Sequence, residues 1–144
     1  MPNCDYHRPV GATVGFGASL ALALSAKSPR PGLEAVAGWF GGWVGGALPD
    51  IIDPPTSPRH RAIGHGILTA CLGLTFSVVK LRHWQTALRQ QADADTARAV
   101  AEGRWFSFRA TVGYILTGFL AGVIAGYLSH LAADAFTPSG LPLF

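Results

Sequence analysis

Four long apolar runs limit what this chain can fold into. They cover residues 10–26, 33–48, 62–79 and about 110–136, and polar connections separate them. Hydrophobic residues make up 49% of the 144 residues and charged residues only 13%, well below the charged share typical of soluble domains. A membrane-spanning helix needs roughly 17–25 apolar residues. The runs therefore predict an all-α integral membrane bundle of about four transmembrane helices, forming a single domain over residues 1–144.

Glycines mark one face of two of these runs. They recur at four-residue spacing as Gly38, Gly42 and Gly46 in the second run, and as Gly118, Gly122 and Gly126 in the fourth. Small residues at this spacing let a neighbouring helix backbone approach closely. The neighbour is either another helix of the same bundle or a second copy of the chain, so a homo-oligomer through these faces is one alternative.

The connection over residues 80–109 differs from the other two. Its middle is polar and rich in helix-forming residues, which predicts an interfacial or surface helix near 83–102. Trp84, Trp105, Phe106 and Phe108 bracket it, as aromatic residues do where a protein meets the membrane surface. Membrane lipid is therefore one expected partner, and this segment is a second candidate surface for a membrane assembly. No Lys/Arg cluster indicates a nucleic-acid partner.

The distribution of basic residues predicts an orientation. Four spans place both termini and the second connection on one face, with Arg8, Arg59 and Arg61. The other eight of the 11 Lys and Arg residues fall on the opposite face. Basic residues concentrate on the cytoplasmic side of membrane proteins, so the termini are expected to be extracytoplasmic.

The same topology gathers the scarce ionisable side chains at the face with the termini. His7 precedes the first span, Asp50 and Asp53 follow the second, His60 and His65 open the third, and His130 and Asp134 end the fourth. Mixed imidazole and carboxylate donors suit zinc, with manganese and iron as alternatives, and the set is large enough for one or two ions. The simpler alternative is that these groups form helix caps and ion pairs at the interface.

Three motifs carry a resemblance to a known family. LPD (48–50), HRAIGH (60–65) and GYLSHLAADAFTPSGLPL (126–143) resemble motifs of the YdjM-like family, bacterial inner-membrane proteins described as metal-dependent hydrolases and as LexA-regulated. The resemblance implies that Asp50, His60, His65, His130 and Asp134 belong to the site, with His7 matching more loosely. The family pattern LPDxDH is broken here, because Ile52 and Asp53 stand where the second aspartate and the histidine belong.

These features predict a membrane-bound hydrolase that uses metal-activated water on a lipid-like or other phosphoester. Asp50, His65, His130 and Asp134 are the core ligands, with His7 and Asp53 as further ones. His60 is a ligand or a general base. Arg59 and Arg61 hold a phosphate oxygen or pair with headgroups. Two alternatives stay open: a non-catalytic assembly protein with a structural metal, and an ion or proton carrier.

Overall fold

The structure, a computed structural model, describes residues 4–52 and 67–135. Within this part of the chain it contains five helices and no strands. They are α1 (Cys4–Ser25), α2 (Pro31–Gly45), the short α3 (Leu48–Ile52), α4 (Ile67–Ala101) and α5 (Phe108–Ala135). The predicted all-α class is confirmed.

The helix boundaries differ from the apolar runs in three places. Helix α1 begins at Cys4, so His7 lies inside the first helix rather than before it. The second run divides into α2 and α3, separated by a turn at Gly46 and Ala47. The helix expected near 83–102 exists, but it is the continuation of α4, a single helix of 35 residues, rather than a separate element. Residues 80–101 contain no Gly or Pro and many good helix formers, so nothing in the sequence ends the helix after the apolar run.

Helices α1 and α2 pack antiparallel, and so do α4 and α5. Gly11 of α1 lies against Gly46, while Gly15 lies against Gly42 and Gly38. The side-chain amide of Gln85 in α4 donates to the carbonyl oxygen of Thr117 in α5, and Ala92 lies beside Gly113. By contrast, α2 and α5 run parallel, since Glu34, Gly38 and Gly42 meet Gly118, Gly122 and Gly126 in the same order. The end of α2, the end of α5 and the start of α1 therefore share one end of the bundle.

Both glycine faces are used within the chain. A Cβ atom on Gly122 would collide with the backbone of Gly38, and one on Gly42 would collide with the backbone of Gly11. The glycines thus let α2 pack backbone to backbone against α1 on one side and α5 on the other. The glycine faces are therefore used for packing within one chain, which is the first of the two alternatives given above. Homo-oligomer formation stays a prediction.

The interior is built from small side chains, and large apolar side chains point outward. Among the described residues the buried apolar positions are mostly alanines, with Leu131 and Tyr114 as the larger members. The exposed large hydrophobic residues of α1, α2 and α5 include Val14, Phe16, Leu24, Val36, Trp39, Phe40, Trp43, Ile115, Leu116 and Leu128. Large apolar side chains on the outside and small residues at the helix contacts are typical of bundles embedded in lipid.

By length and composition, α5 alone among the helices of residues 4–52 and 67–135 qualifies as a candidate membrane span. Helix α2 has 15 residues, about 22 Å of helix, which is less than the ~30 Å hydrocarbon core. Helix α1 is long enough but begins with the polar residues Asp5, His7 and Arg8. In α4 the polar half begins at Lys80. By these criteria one candidate span is found among the described helices, and the predicted four transmembrane helices are not supported.

A cluster of polar side chains lies at the end of the bundle where α2 begins. We call Ser28, Glu34 and Arg89 the Glu34 network. The Glu34 carboxylate is fully buried, accepts a hydrogen bond from the Ser28 hydroxyl at 2.5 Å and forms an ion pair with Arg89 of α4. Nearby, the Arg30 guanidinium donates to the Thr111 hydroxyl at 2.8 Å. These contacts connect the start of α2 to the polar half of α4 and to the start of α5.

The close contact between α2 and α5 predicts that Gly122→Ala destabilises the protein by about 1–3 kcal/mol, because the added methyl group must push two backbones apart. Gly17 is the matched control, since it lies in α1 and a Cβ atom there would meet nothing within 4 Å. Gly17→Ala should be neutral or stabilising by up to about 1 kcal/mol. Thermal unfolding of both variants in the same detergent checks this, and equal stabilities would contradict the packing.

Candidate metal centre

Four ionisable side chains meet where α1 begins and α2 and α5 end. His7 comes from the start of α1, and Asp50 comes from α3. His130 and Asp134 project from the same side of the last turns of α5, because they are four residues apart on a helix. Three separate segments thus deliver two imidazoles and two carboxylates to one place.

The distances between these groups are longer than hydrogen bonds but short enough for a shared cation. Asp134 uses both oxygens: Oδ1 lies 3.6 Å from His7 Nε2 and Oδ2 lies 3.5 Å from His130 Nε2. Asp50 Oδ1 lies 3.7 Å from His130 Nε2. The ligand atoms of His7, His130 and Asp134 all lie within 4.8 Å of one another. These three separations are longer than the roughly 2.7–3.2 Å of a usual N–H···O hydrogen bond.

The orientation of His130 explains which of its nitrogens faces the carboxylates. Its Nδ1 lies 2.7 Å from the carbonyl oxygen of Gly46, which can only accept, so Nδ1 must carry a proton. In the neutral ring, Nε2 then presents a lone pair to Asp50 and Asp134. A lone pair facing two carboxylates is repulsive unless a proton or a metal ion lies between them. A histidine that donates its other N–H to a backbone carbonyl is the usual arrangement of a metal ligand.

The spacing agrees with the geometry of a small divalent ion. Zinc lies about 2.0–2.1 Å from nitrogen and oxygen ligands, and tetrahedral ligand atoms are therefore about 3.3–3.4 Å apart. The contacts of 3.5–3.7 Å need only a small contraction to match. Stacking of the His7 and His130 rings, with centroids 3.8 Å apart, holds the two imidazoles side by side. The residues present therefore fit a metal with nitrogen and oxygen ligands, and they do not identify it.

Burial divides the four residues into two kinds. His7, His130 and Asp134 are 2%, 1% and 4% exposed. The Asp50 side chain is 25% exposed, so the cluster is accessible on the Asp50 side. The cluster therefore consists of three buried side chains and one partly exposed carboxylate.

Gly46 makes this arrangement sterically feasible. A Cβ atom at Gly46 would meet the carbonyl oxygen of His7, so a larger residue would push the start of α1 away from the end of α2. The same residue provides the carbonyl that orients His130. The four-residue glycine spacing marked Gly46 as a packing position, but its role in orienting a histidine depends on a contact over 84 residues of sequence.

The structure describes part of the predicted site. His7, Asp50, His130 and Asp134 lie together as expected from the topology. Asp53, Arg59, His60, Arg61 and His65 fall outside the described ranges 4–52 and 67–135. His83, in the segment predicted to form an interfacial or surface helix, is exposed on α4.

Sequence reasoning missed the Glu34 network. A lone glutamate inside the second apolar run was the signal, since an ionisable residue in such a run needs a partner. The spacing did not indicate that the partner is Arg89.

Comparison with protein families gives one result. The family model described as YdjM inner membrane protein matches residues 10–144, which is nearly the whole chain. Searches of curated proteins and of solved structures gave no match.

Proposed function

Since the chain belongs to the YdjM inner membrane protein family, we propose that it is a multi-pass membrane protein whose buried His/Asp cluster binds a divalent metal and hydrolyses a lipid-like phosphoester at the membrane face. One observation carries the proposal: two imidazoles and two carboxylates from three segments converge at one end of the bundle. Ionisable groups at this depth are costly unless they bind an ion, pair or line a wet cavity.

The outward-facing apolar side chains support the multi-pass part of the proposal. Val14 and Phe16 of α1 and Val36 and Phe40 of α2 are all exposed, although neither helix qualifies as a span by length and composition. Lipid contact gives such side chains an apolar environment. We propose that α1, α2 and the apolar part of α4 cross the membrane beside α5.

The residues of the centre have distinct roles in this proposal. His7, His130 and Asp134 hold the metal from the protein side, while Asp50 borders the open side. Bound metal would supply a water molecule whose pKa is lowered towards neutrality, ready to attack phosphorus. Hydrolysis would join the water oxygen to phosphorus and release the alcohol, which would take up the proton given up by the water. His60 is the proposed proton carrier or a further ligand, and Arg59 and Arg61 are proposed to hold phosphate oxygens.

Zinc is our first choice of metal, with manganese and iron as alternatives, because all three accept mixed imidazole and carboxylate ligands. The near-complete burial of His7, His130 and Asp134 favours a second candidate function. In that alternative the metal is a structural clip that ties the start of α1 to the end of α5, and the chain serves a membrane assembly. Catalytic sites keep an open coordination position, whereas structural sites are closed.

Metal analysis followed by a substrate screen tests the proposal. We expect purified protein to hold a divalent metal and to release phosphate or a phosphorylated headgroup from a lipid such as phosphatidic acid. Turnover should be lost in Asp134→Ala and retained in the matched control Asp95→Ala, which removes an aspartate paired with Arg98 on α4. Bound metal with no turnover, and lower thermal stability after chelation, would instead support the clip.

The orientation gives a separate prediction. A phosphatase reporter fused after Phe144 should be active outside the cytoplasm, because the three basic residues on the face with the termini are outnumbered by the eight on the other. The matched fusion within the loop between α4 and α5, after Gly103, should be inactive. The reverse pattern would place the metal centre in the cytoplasm.

A further inference from the structure

Arg8 lies next to the metal ligand His7 and lacks an anionic partner among the described residues. Its Nε is buried without a hydrogen-bond partner, and its guanidinium carbon lies 4.7 Å from the centroid of the Trp43 ring. Within residues 4–52 and 67–135, three arginines are half-buried. Arg30 donates to Thr111 and Arg89 donates to Glu34. Of these three arginines, Arg8 is the one whose recorded contact is with an aromatic ring and with no hydrogen-bond acceptor.

The contact with Trp43 limits how the guanidinium meets a ligand. Its central carbon lies 4.7 Å from the centroid of the Trp43 ring, and its Nε is buried, so the two terminal nitrogens carry the N–H groups left for a ligand. Two such nitrogens on one planar group match two oxygens of a phosphate, which a lysine cannot reproduce. Ionisable side chains inside membrane proteins usually pair, bind an ion or line a wet cavity, and a phosphate is an anion that Arg8 can pair with.

We infer that Arg8 and Trp43 form an anion subsite that binds a phosphate group beside the metal centre. The phosphate is that of an amphiphilic molecule at the membrane face, or free phosphate. This inference rests on the proposed function. It adds a residue that would bind the phosphate group of the substrate beside the metal. Trp43 is exposed on α2, one turn before Gly46, so it borders both the lipid and the centre.

Binding to purified full-length protein in a nonionic detergent tests the subsite. The probes are dihexanoyl phosphatidic acid, dihexanoylglycerol as its uncharged counterpart, and inorganic phosphate, each titrated by calorimetry. We expect the phosphatidic acid to bind and dihexanoylglycerol to bind at least about tenfold more weakly, since the charge-assisted hydrogen bonds are lost. Inorganic phosphate binding as tightly as the lipid would identify free phosphate as the ligand of the subsite.

Variants assign the binding to Arg8. Arg8→Gln should weaken phosphatidic acid binding at least about tenfold, and Arg8→Lys should be intermediate, because it keeps the charge but not the planar fork. Arg98→Gln is the matched control, as it removes the same charge from an exposed arginine of α4, and it should leave binding unchanged. Trp43→Leu provides a second route if Arg8→Gln does not fold, with an expected loss of about two- to fivefold.

Two outcomes overturn the inference: unchanged affinity in Arg8→Gln, or equal binding of phosphatidic acid and dihexanoylglycerol. The metal readout separates this failure from failure of the proposed function. Arg8→Gln should keep its metal while losing phosphatidic acid binding, so the subsite can fail or hold independently of the metal centre. A protein that binds no metal yet binds phosphate through Arg8 would contradict the metal centre and support the subsite.

Discussion

His130→Ala should lower the affinity for zinc by at least about a hundredfold. His130 is central to the cluster, because its Nε2 faces both Asp50 and Asp134 while its Nδ1 is held by the Gly46 carbonyl. A zinc site with four ligands is worth roughly 10–16 kcal/mol, so losing one ligand removes several kcal/mol. Titration with zinc against a competing chelator, and metal content after dialysis, measure the effect.

Two further variants make the result specific to the centre. His83→Ala removes an exposed histidine of α4 and should keep both metal content and affinity. Asp134→Asn preserves the shape of the side chain but removes the charge shared between His7 and His130, so it should also lose metal. If His130→Ala binds zinc as tightly as the unaltered protein, the cluster is a set of ion pairs and the metal proposal is wrong.

Glu34→Ala should destabilise the protein by about 3–5 kcal/mol. The substitution leaves the Arg89 guanidinium half-buried without its anion and removes the acceptor of the Ser28 hydroxyl. Removing one partner of a buried ion pair is costly, because the remaining charge stays in a medium that solvates it poorly. Thermal or denaturant unfolding in a fixed detergent gives the change in free energy of unfolding.

An exposed ion pair provides the matched control. Glu102 pairs with Arg104 in the connection after α4, and both side chains are about half exposed. Glu102→Ala should change the stability by no more than about 1 kcal/mol, because water solvates the remaining arginine. The double variant Glu34→Ala with Arg89→Ala should recover part of the loss, and strictly additive losses would show that the two groups do not interact.

The two clusters lie at opposite ends of α2, so their effects should separate. If the Glu34→Ala variant folds, it should retain zinc. The His130→Ala variant should keep the Glu34 network and unfold cooperatively. Changes at well-separated sites without shared partners usually add. Loss of metal in Glu34→Ala would instead mean that the position of α2 couples the two ends.

Much of the site could be predicted from chain direction alone. Apolar runs, once counted, determine which connections share a side of the bundle, so His7, Asp50, His130 and Asp134 could be assigned to one end without knowing any contact. The four-residue spacing of His130 and Asp134 follows from the helix period. Counting the apolar runs could not give the distances between these side chains, because residues at the same end of a bundle can be as far apart as the bundle is wide.

The Glu34 network and Arg8 illustrate the other limit. Glu34 and Arg89 are 55 residues apart, and no local pattern pairs them. In the sequence, Arg8 is only a basic residue that counts towards orientation. Its position against the Trp43 ring, with Nε buried and without a hydrogen bond, depends on how α1 packs against α2.

By itself, the sequence determined the helical class, the small-residue faces and the end of the bundle that collects imidazoles and carboxylates, because each follows from composition or helix periodicity. The tertiary structure alone decided that the glycines bring α2 against both α1 and α5, and that Gly46 orients His130. The physical reason is that these outcomes depend on contacts between residues far apart in the chain, and such contacts form only when the helices pack.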